Sequence, residues 1–255
     1  MLDPITPVIL TGDEEANVAR TLGALAWASE VIVVDSFSTD ATAEIARRFP
    51  NVRFIQRALD SLAGQWTFAV AEARTPWVLT LDADYFVPET FVRELESLDG
   101  KAAGYEAEFV YAVNGKPLRA SLYPPRAILL RRDRCEFYMD GHTQRVRVEG
   151  NVARLKTKLV HDDRKSFARF VSRQRRYMRD EAEKLRRADP RTLNFASRLR
   201  KLIVVAPFAV LLHTLFVKGL ILDGVPGLRY AWERVVAELI LSRELLKRVG
   251  SSNRP

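Results

Sequence analysis

Residues 75–87 read T-P-W-V-L-T-L-D-A-D-Y-F-V, and the fold turns on them. Trp77 to Leu81 is an apolar run of one buried strand's length, stopping at Asp82 and Asp84 with one small residue between them. Carboxylates are poor core residues. The carboxyl ends of strands in an α/β sheet are where ligands collect, and oxygen donors there suit Mg2+ or Mn2+ carrying substrate phosphates. Asp-x-Asp is also common in strand-ending turns, so the pair gains meaning only from the sequence around it.

Working back towards the amino terminus, Pro7 to Thr11 (P-V-I-L-T) reads as a first strand. Gly12 and the acidic Asp13-Glu14-Glu15 follow it, and then Val18, Leu22 and Leu25 recur at helical spacing. The acidic residues serve either as favourable charges at a helix start or as a loop beside a nucleotide. Glu30 to Asp35 gives a second strand ending in aspartate, and Ser36 to Asp40 supplies N-cap side chains for a helix over Thr42 to Phe49, closed by Pro50. Val52 to Ile55 is a third strand, and Ala63 to Ala73 a helix with Trp66, Ala69, Val70 and Ala73 on one side. Alternating strands and helices predict βαβ units and a mainly parallel, doubly wound α/β sheet, in which Asp35 and Asp82 face one crevice. The G-x-G-x-x-G and G-x-x-x-x-G-K-[ST] phosphate loops are absent, so a bound diphosphate needs another neutralising charge, such as a metal on Asp82 and Asp84.

Towards the carboxyl terminus, Pro88 starts a helix with Phe91, Val92, Leu95 and Leu98 inward. Tyr105 to Val113 turns β-like, Asn114-Gly115 is a turn signal, and Ala127 to Leu130 and Gln144 to Val148 read as strands. Between and after these lie Asp140-Gly141-His142-Thr143-Gln144 and His161-Asp162-Asp163. The histidines are either ordinary hydrogen-bonded loop residues, or one is a further metal ligand with a carboxylate nearby as general base.

A long helix is expected from Ser166 to about Arg187. Arg164 to Lys201 holds fourteen Lys or Arg against four Asp or Glu, a local +10 that exceeds the +8 of the whole chain. This is a solvated helix face, or a face for an anionic membrane surface or an acidic acceptor. Leu202 to Val217 is nearly all apolar and is extended by Leu220 to Leu222, but Pro207, His213 and Lys218 interrupt it. A helix or helix pair lying in the bilayer interface, with the preceding arginines on headgroups, suits it better than a spanning helix; a buried packing or dimerisation segment is the competing expectation. Asp223 to Gly227 reads as a turn and Tyr230 to Arg248 as a last amphipathic helix. The chain thus divides into residues 1–163, a catalytic domain, and 164–255, a helical extension.

The 255 residues, 47% hydrophobic and 28% charged, describe a folded protein with an anion-seeking net charge. A nucleic-acid-binding reading of the basic stretch leaves Asp82 and Asp84 without a role. One cysteine, Cys135, excludes an internal disulfide framework. Residues 1–11 carry no basic, apolar leader, so a cytoplasmic location is expected, peripherally associated with the inner membrane.

The series V-I-L-T-G-D-E-E-A-N-V-A-R-T-L, E-V-I-V-V-D-S-F-S-T-D-A-T and W-V-L-T-L-D-A-D-Y resembles inverting family 2 glycosyltransferases of the GT-A fold. The later V-K-G-L-I-L-D-G-V-P-G-L-R-Y-A is similar to the lipopolysaccharide core branch that adds glucose to an inner-core sugar. The resemblance implies that Thr11, Glu14, Glu15, Asp35 and Ser36 line the pocket of a nucleotide-sugar donor, a UDP-sugar, with Asp35 on the uridine. It implies Asp82 near the ribose or metal, Asp84 as direct ligand of Mn2+ or Mg2+, and His161 completing the metal site. Relatives carry a His-Glu pair near Thr143-Gln144 whose glutamate is the usual base. Here Gln144 cannot take up a proton usefully, so the base moves to Asp140, with His142 or Asp162 as replacements. Asp13 stands where many relatives have Asn, and Gln65-Trp66 where many have charged or amide residues. The implied reaction is inverting sugar transfer to a glycan or glycolipid acceptor such as lipopolysaccharide core. The rival readings are a transferase with a polyprenyl-phosphate acceptor and, because of Gln144, a non-catalytic envelope scaffold.

Overall fold

The computed structural model describes residues 2–140 and 143–247, with the Thr143 side chain left aside. Two compact units emerge: residues 1–117 with 122–164, and residues 118–121 with 165–255. In the first unit the order is β1 (Ile5–Thr11), α1 (Val18–Gly23), β2 (Val31–Asp35), α2 (Thr42–Arg47), β3 (Val52–Gln56), α3 (Leu62–Ala71), β4 (Trp77–Asp82) and β5 (Tyr85–Phe86). Then come α4 (Glu89–Ser97), β6 (Gly104–Ala107), β7 (Phe109–Val113), β8 (Lys116–Pro117), β9 (Arg126–Arg131), β10 (Cys135–Asp140), β11 (Thr143–Val148), β12 (Val152–Arg154) and β13 (Leu159–His161).

The central sheet runs β12-β6-β9-β4-β1-β2-β3. Its β4, β1, β2 and β3 are mutually parallel, and β9 enters antiparallel to both β4 and β6. The mixed α/β architecture is as the alternation predicts, with the antiparallel strand inserted beside β4. Period-2 alternation explains how apolar strands feed two cores. Ile5 and Ile9, Val31 and Val33, and Trp77, Leu79 and Leu81 join one cluster, shared with α1 and α4. Val8, Ile32, Val34 and Val78 face the other way, onto Trp66, Ala69 and Val70 of α3. Register places Leu10 opposite Asp82 and Thr11 opposite Asp35, so the acidic strand ends finish flush at one edge.

Two smaller sheets complete this unit. β10 and β11 form an antiparallel ribbon whose Phe137 stacks on Trp66, with centroids 6.0 Å apart. The order β5-β13-β7-β8 makes the other, and it is decisive for the site. His161, for which the sequence left a hydrogen-bonded loop residue and a metal ligand both open, is the last residue of β13, directly opposite Tyr85.

The second unit is helical: α5 (Phe167–Arg187), α6 (Phe195–Lys201), α7 (Val205–Leu212) and α8 (Gly224–Lys247). Met178, Ala182 and Leu185 of α5 pack on Leu241 and Leu245 of α8. The turn read at Asp223 to Gly227 is corrected: Gly224 begins α8, with Pro226 in its first turn, where a missing N–H costs nothing. Gly227 is there for space, since a Cβ on it would sit 1.9 Å from the Leu220 carbonyl oxygen. Among the described residues no single helix is long and apolar enough to cross a membrane; Val205–Val217 and Leu220–Lys247, bent by 70°, pass that test only as a pair.

Candidate active site

At the flush strand ends, Asp35 is fully buried and its carboxylate is saturated by the protein itself. It accepts from Thr11 Oγ1 (2.8 Å), Ser38 N (2.9 Å), Ser38 Oγ and Gln56 Nε2 (3.3 Å). Its role in this state is to hold the ends of β1, β2 and β3 together. Asp13 and Phe37 adopt left-handed backbone, φ 54° and 57°, and the two loops they sit in are laced to each other. Asp13 N donates to Ser38 Oγ, Thr39 N to Asp13 Oδ1, Glu14 N to Thr42 Oγ1 and Ala41 N to Glu15 Oε2. Ser36 N donates to the Thr11 carbonyl, and Ser36 Oγ accepts from the buried Gln65 Nε2. The structure therefore gathers Thr11, Glu14, Glu15, Asp35 and Ser36 around one strand-end rim.

Asp82 lies on the same edge. Its carboxylate pairs with Arg126 Nη1 at 2.9 Å, and that nitrogen also donates to Tyr85 Oη (2.8 Å) and Tyr123 Oη (3.0 Å), which bond to each other. Burial pushes the Tyr85 hydroxyl pKa well up and that of Tyr123 to about 12, with Asp82 adding to both, so the tyrosines stay neutral. Tyr85, Phe109, Tyr123 and His161 pack ring against ring, with centroid distances of 4.7 to 6.4 Å.

Asp84 is buried, and its Oδ2 stands 3.1 Å from His161 Nε2. Burial disfavours a charged imidazole, but Asp84, helped by Asp82 and Asp163, outweighs it and raises the His161 pKa. Behind this pair, α1 turns a polar face inward that the sequence reading did not use. Thr21 Oγ1 lies 2.6 Å from the Ala83 carbonyl and 2.8 Å from that of Tyr85, and Arg20 reaches Asp162 Oδ2 (2.8 Å) and the Asp162 carbonyl (2.7 Å). Asn17 bridges to Asp163 and Arg164. The sequence signal was present in N-V-A-R-T: three polar residues interleaved with the apolar stripe of a short helix. Arg126, also missed, opens a strand whose middle four residues, Ala127 to Leu130, are apolar.

Two expectations need correction. Asp162 is no stand-in base: it is 2% exposed, and one oxygen accepts from Arg20, Arg164 Nε (2.8 Å) and Gly115 N (3.0 Å). Such an anion, tied to two guanidinium groups, is structural. The three-ligand set is also not assembled, because Asp82 turns to Arg126, and among the described residues no group of three His, Cys, Asp or Glu is arranged for a metal. The donors that remain still fit one. A carboxylate and an imidazole held within 3.1 Å are hard-to-borderline ligands suited to Mn2+, leaving positions for phosphate oxygens. Asp140 ends β10 at the ribbon tip, partly exposed, with Arg145 at 3.7 Å; His142 lies outside the described residues.

A family model for glycosyl transferase family 2 matches residues 7–144. Over 85 residues the chain is 32% identical to the lipopolysaccharide core biosynthesis glycosyltransferase LpsC of Rhizobium meliloti, covering 32% of each protein. It is 29% identical over 133 residues to an uncharacterized glycosyltransferase of Rickettsia felis, covering 52% of this chain and 42% of the relative. The matches thus span less than half the length of these curated relatives. In fold the chain is similar to the mannosyltransferase PcManGT from Pyrobaculum calidifontis, solved with GDP-Man and Mn2+ (TM-score 0.55, 15% identity, 97% of this chain and 90% of that one).

Proposed function

Because the chain belongs to glycosyl transferase family 2 and is a glycosyltransferase, we propose that it moves a sugar, with inversion, from a UDP-sugar to a hydroxyl of a cell-envelope glycan such as lipopolysaccharide core. The observation that carries this reading is the Asp84–His161 pair at 3.1 Å, at the strand-end edge that also bears Asp82. Asp84 and His161 would hold Mn2+ or Mg2+, which when bound would supply Lewis-acid stabilisation of the departing diphosphate. Asp82 and Arg126 fix the ribose side of the donor, and the laced loops carrying Glu14, Glu15 and Ser36 wall the base. Asp140 takes the acceptor proton during in-line attack.

The exposed apolar side chains of the second unit, among them Phe208, Phe216 and Val225, favour a lipid-borne acceptor and association with the inner-membrane surface. A polyprenyl-phosphate acceptor is the second reading on that ground; a lipid-linked rather than an oligosaccharide-core product distinguishes it.

The test is nucleotide release from a panel of UDP- and GDP-sugars with Mn2+. Asp84→Ala is expected to lower turnover by about 100-fold or more, since the metal contributes several kcal/mol. Asp140→Asn should cut turnover while leaving donor binding intact. If no nucleotide sugar is bound or cleaved by the unaltered protein, the proposal fails.

A further inference from the structure

Four cations in the helical unit converge on one groove that no part of the transfer reaction uses. Arg175 and Arg179 stand four residues apart on α5, and Arg243 and Lys247 four apart on α8. Together they line a cavity of about 470 Å3 whose walls include Val171, Val236 and Ile240. Like charges at four-residue spacing repel, and Glu244, the groove's one carboxylate, is already engaged by Lys247 Nζ at 2.7 Å. Among the described residues Arg175, Arg179 and Arg243 make no hydrogen bond or ion pair. Guanidinium forks match phosphate oxygens in pairs, so an entering phosphate relieves the repulsion and meets several donors together.

The rest of α8 indicates what carries that phosphate. Trp232, Val236 and Ile240 precede Arg243 and Lys247 along one side of the helix at helical spacing, with Trp232 55% exposed. An apolar track leading into a cationic end has the polarity of a phospholipid, acyl chain first and headgroup second.

We propose that the α5–α8 groove binds the phosphate headgroup of an anionic phospholipid. This rests on the membrane-surface reading above and assigns that reading a discrete site. The experiment is flotation of the full chain with phosphatidylglycerol or phosphatidylcholine vesicles. It compares the unaltered protein, the triple variant Arg175→Gln/Arg179→Gln/Arg243→Gln, and a charge-matched control, Arg48→Gln/Arg93→Gln/Arg154→Gln, at exposed positions of the first unit. The groove variant is expected to lose phosphatidylglycerol affinity on the order of 100-fold, about 1 kcal/mol per basic residue, with an unchanged melting temperature. The control should lose less than threefold. Equal losses in the two variants, or none in the groove variant, would overturn the groove while leaving surface association standing; no binding to either vesicle by the unaltered protein would remove both. Glycerol phosphate or an oligothymidylate competing as well as dihexanoyl phosphatidylglycerol would also overturn it, in favour of a free phosphate or a nucleic acid.

Discussion

Arg126 joins groups the sequence keeps apart, Asp82 with Tyr85 and Tyr123, through one terminal nitrogen. A lysine reaches that point without the planar fork, and a methionine leaves the carboxylate and two hydroxyls to find other partners. Arg126→Met is therefore expected to cost about 2–3 kcal/mol in urea denaturation, discounted from a buried pair because Asp82 is partly exposed. Arg126→Lys should recover part of it; equal costs would mean the guanidinium geometry is irrelevant. Cys135 gives a check on local polarity. Burial, with a smaller push from Asp133, raises its thiol pKa to about 11, so the neutral, unreactive form is favoured. Its alkylation by iodoacetamide should rise about tenfold per pH unit through pH 8 to 10 and level off near 11. A plateau near pH 8.5, as for a free thiol, contradicts the half-buried placement.

At the scale of elements, β1, β2 and β4 were legible because strands apolar on both faces read as continuous runs, and their terminal aspartates are anomalies against that background. β13 was not, since three residues, Leu159 to His161, are too few to show a period, and their pairing with β5 and β7 is decided by distant chain. The start of α8 was missed because Gly224, Pro226 and Gly227 compose a turn signal that packing against Leu220 overrides. Likewise Asp84 was read from its place at a strand end and His161 was singled out through resemblance, while the face of α1 that fixes them was invisible: a helix's polar residues reveal a partner only once the strand ends behind them are placed. That latch makes a prediction. Asp162→Asn leaves Arg20 and Arg164 facing a neutral amide in a buried site, at a cost of about 3 kcal/mol. Because Asp162 follows His161 and its N–H donates to the Asp84 carbonyl, the Mn2+ concentration for half-maximal activity should also rise about 10-fold or more. A stability loss with unaltered Mn2+ dependence would confine the latch to folding.

For the molecule as a whole, two attractions towards a membrane surface differ in how they answer to salt. The +10 balance of Arg164 to Lys201 lies in a chain of net +8, so the basic character belongs to one stretch. At 1 M salt the Debye length falls to about 3 Å and exposed charge pairing is largely screened. The apolar term is not screened: Phe208, Phe216 and Val225 are 66%, 61% and 78% exposed, and fully burying such a side chain is worth roughly 1.5–3 kcal/mol. Three of them entering an interface exceed what three surface charges contribute at about 1 kcal/mol each. Membranes carrying the full chain, washed in 1 M NaCl, should therefore keep most of it and release it to mild detergent. Phe208→Ser/Phe216→Ser/Val225→Ser should shift the balance so that the same salt wash strips the protein. If salt alone removes the unaltered chain, charge dominates, and the apolar surface of the helical unit must be covered by protein instead.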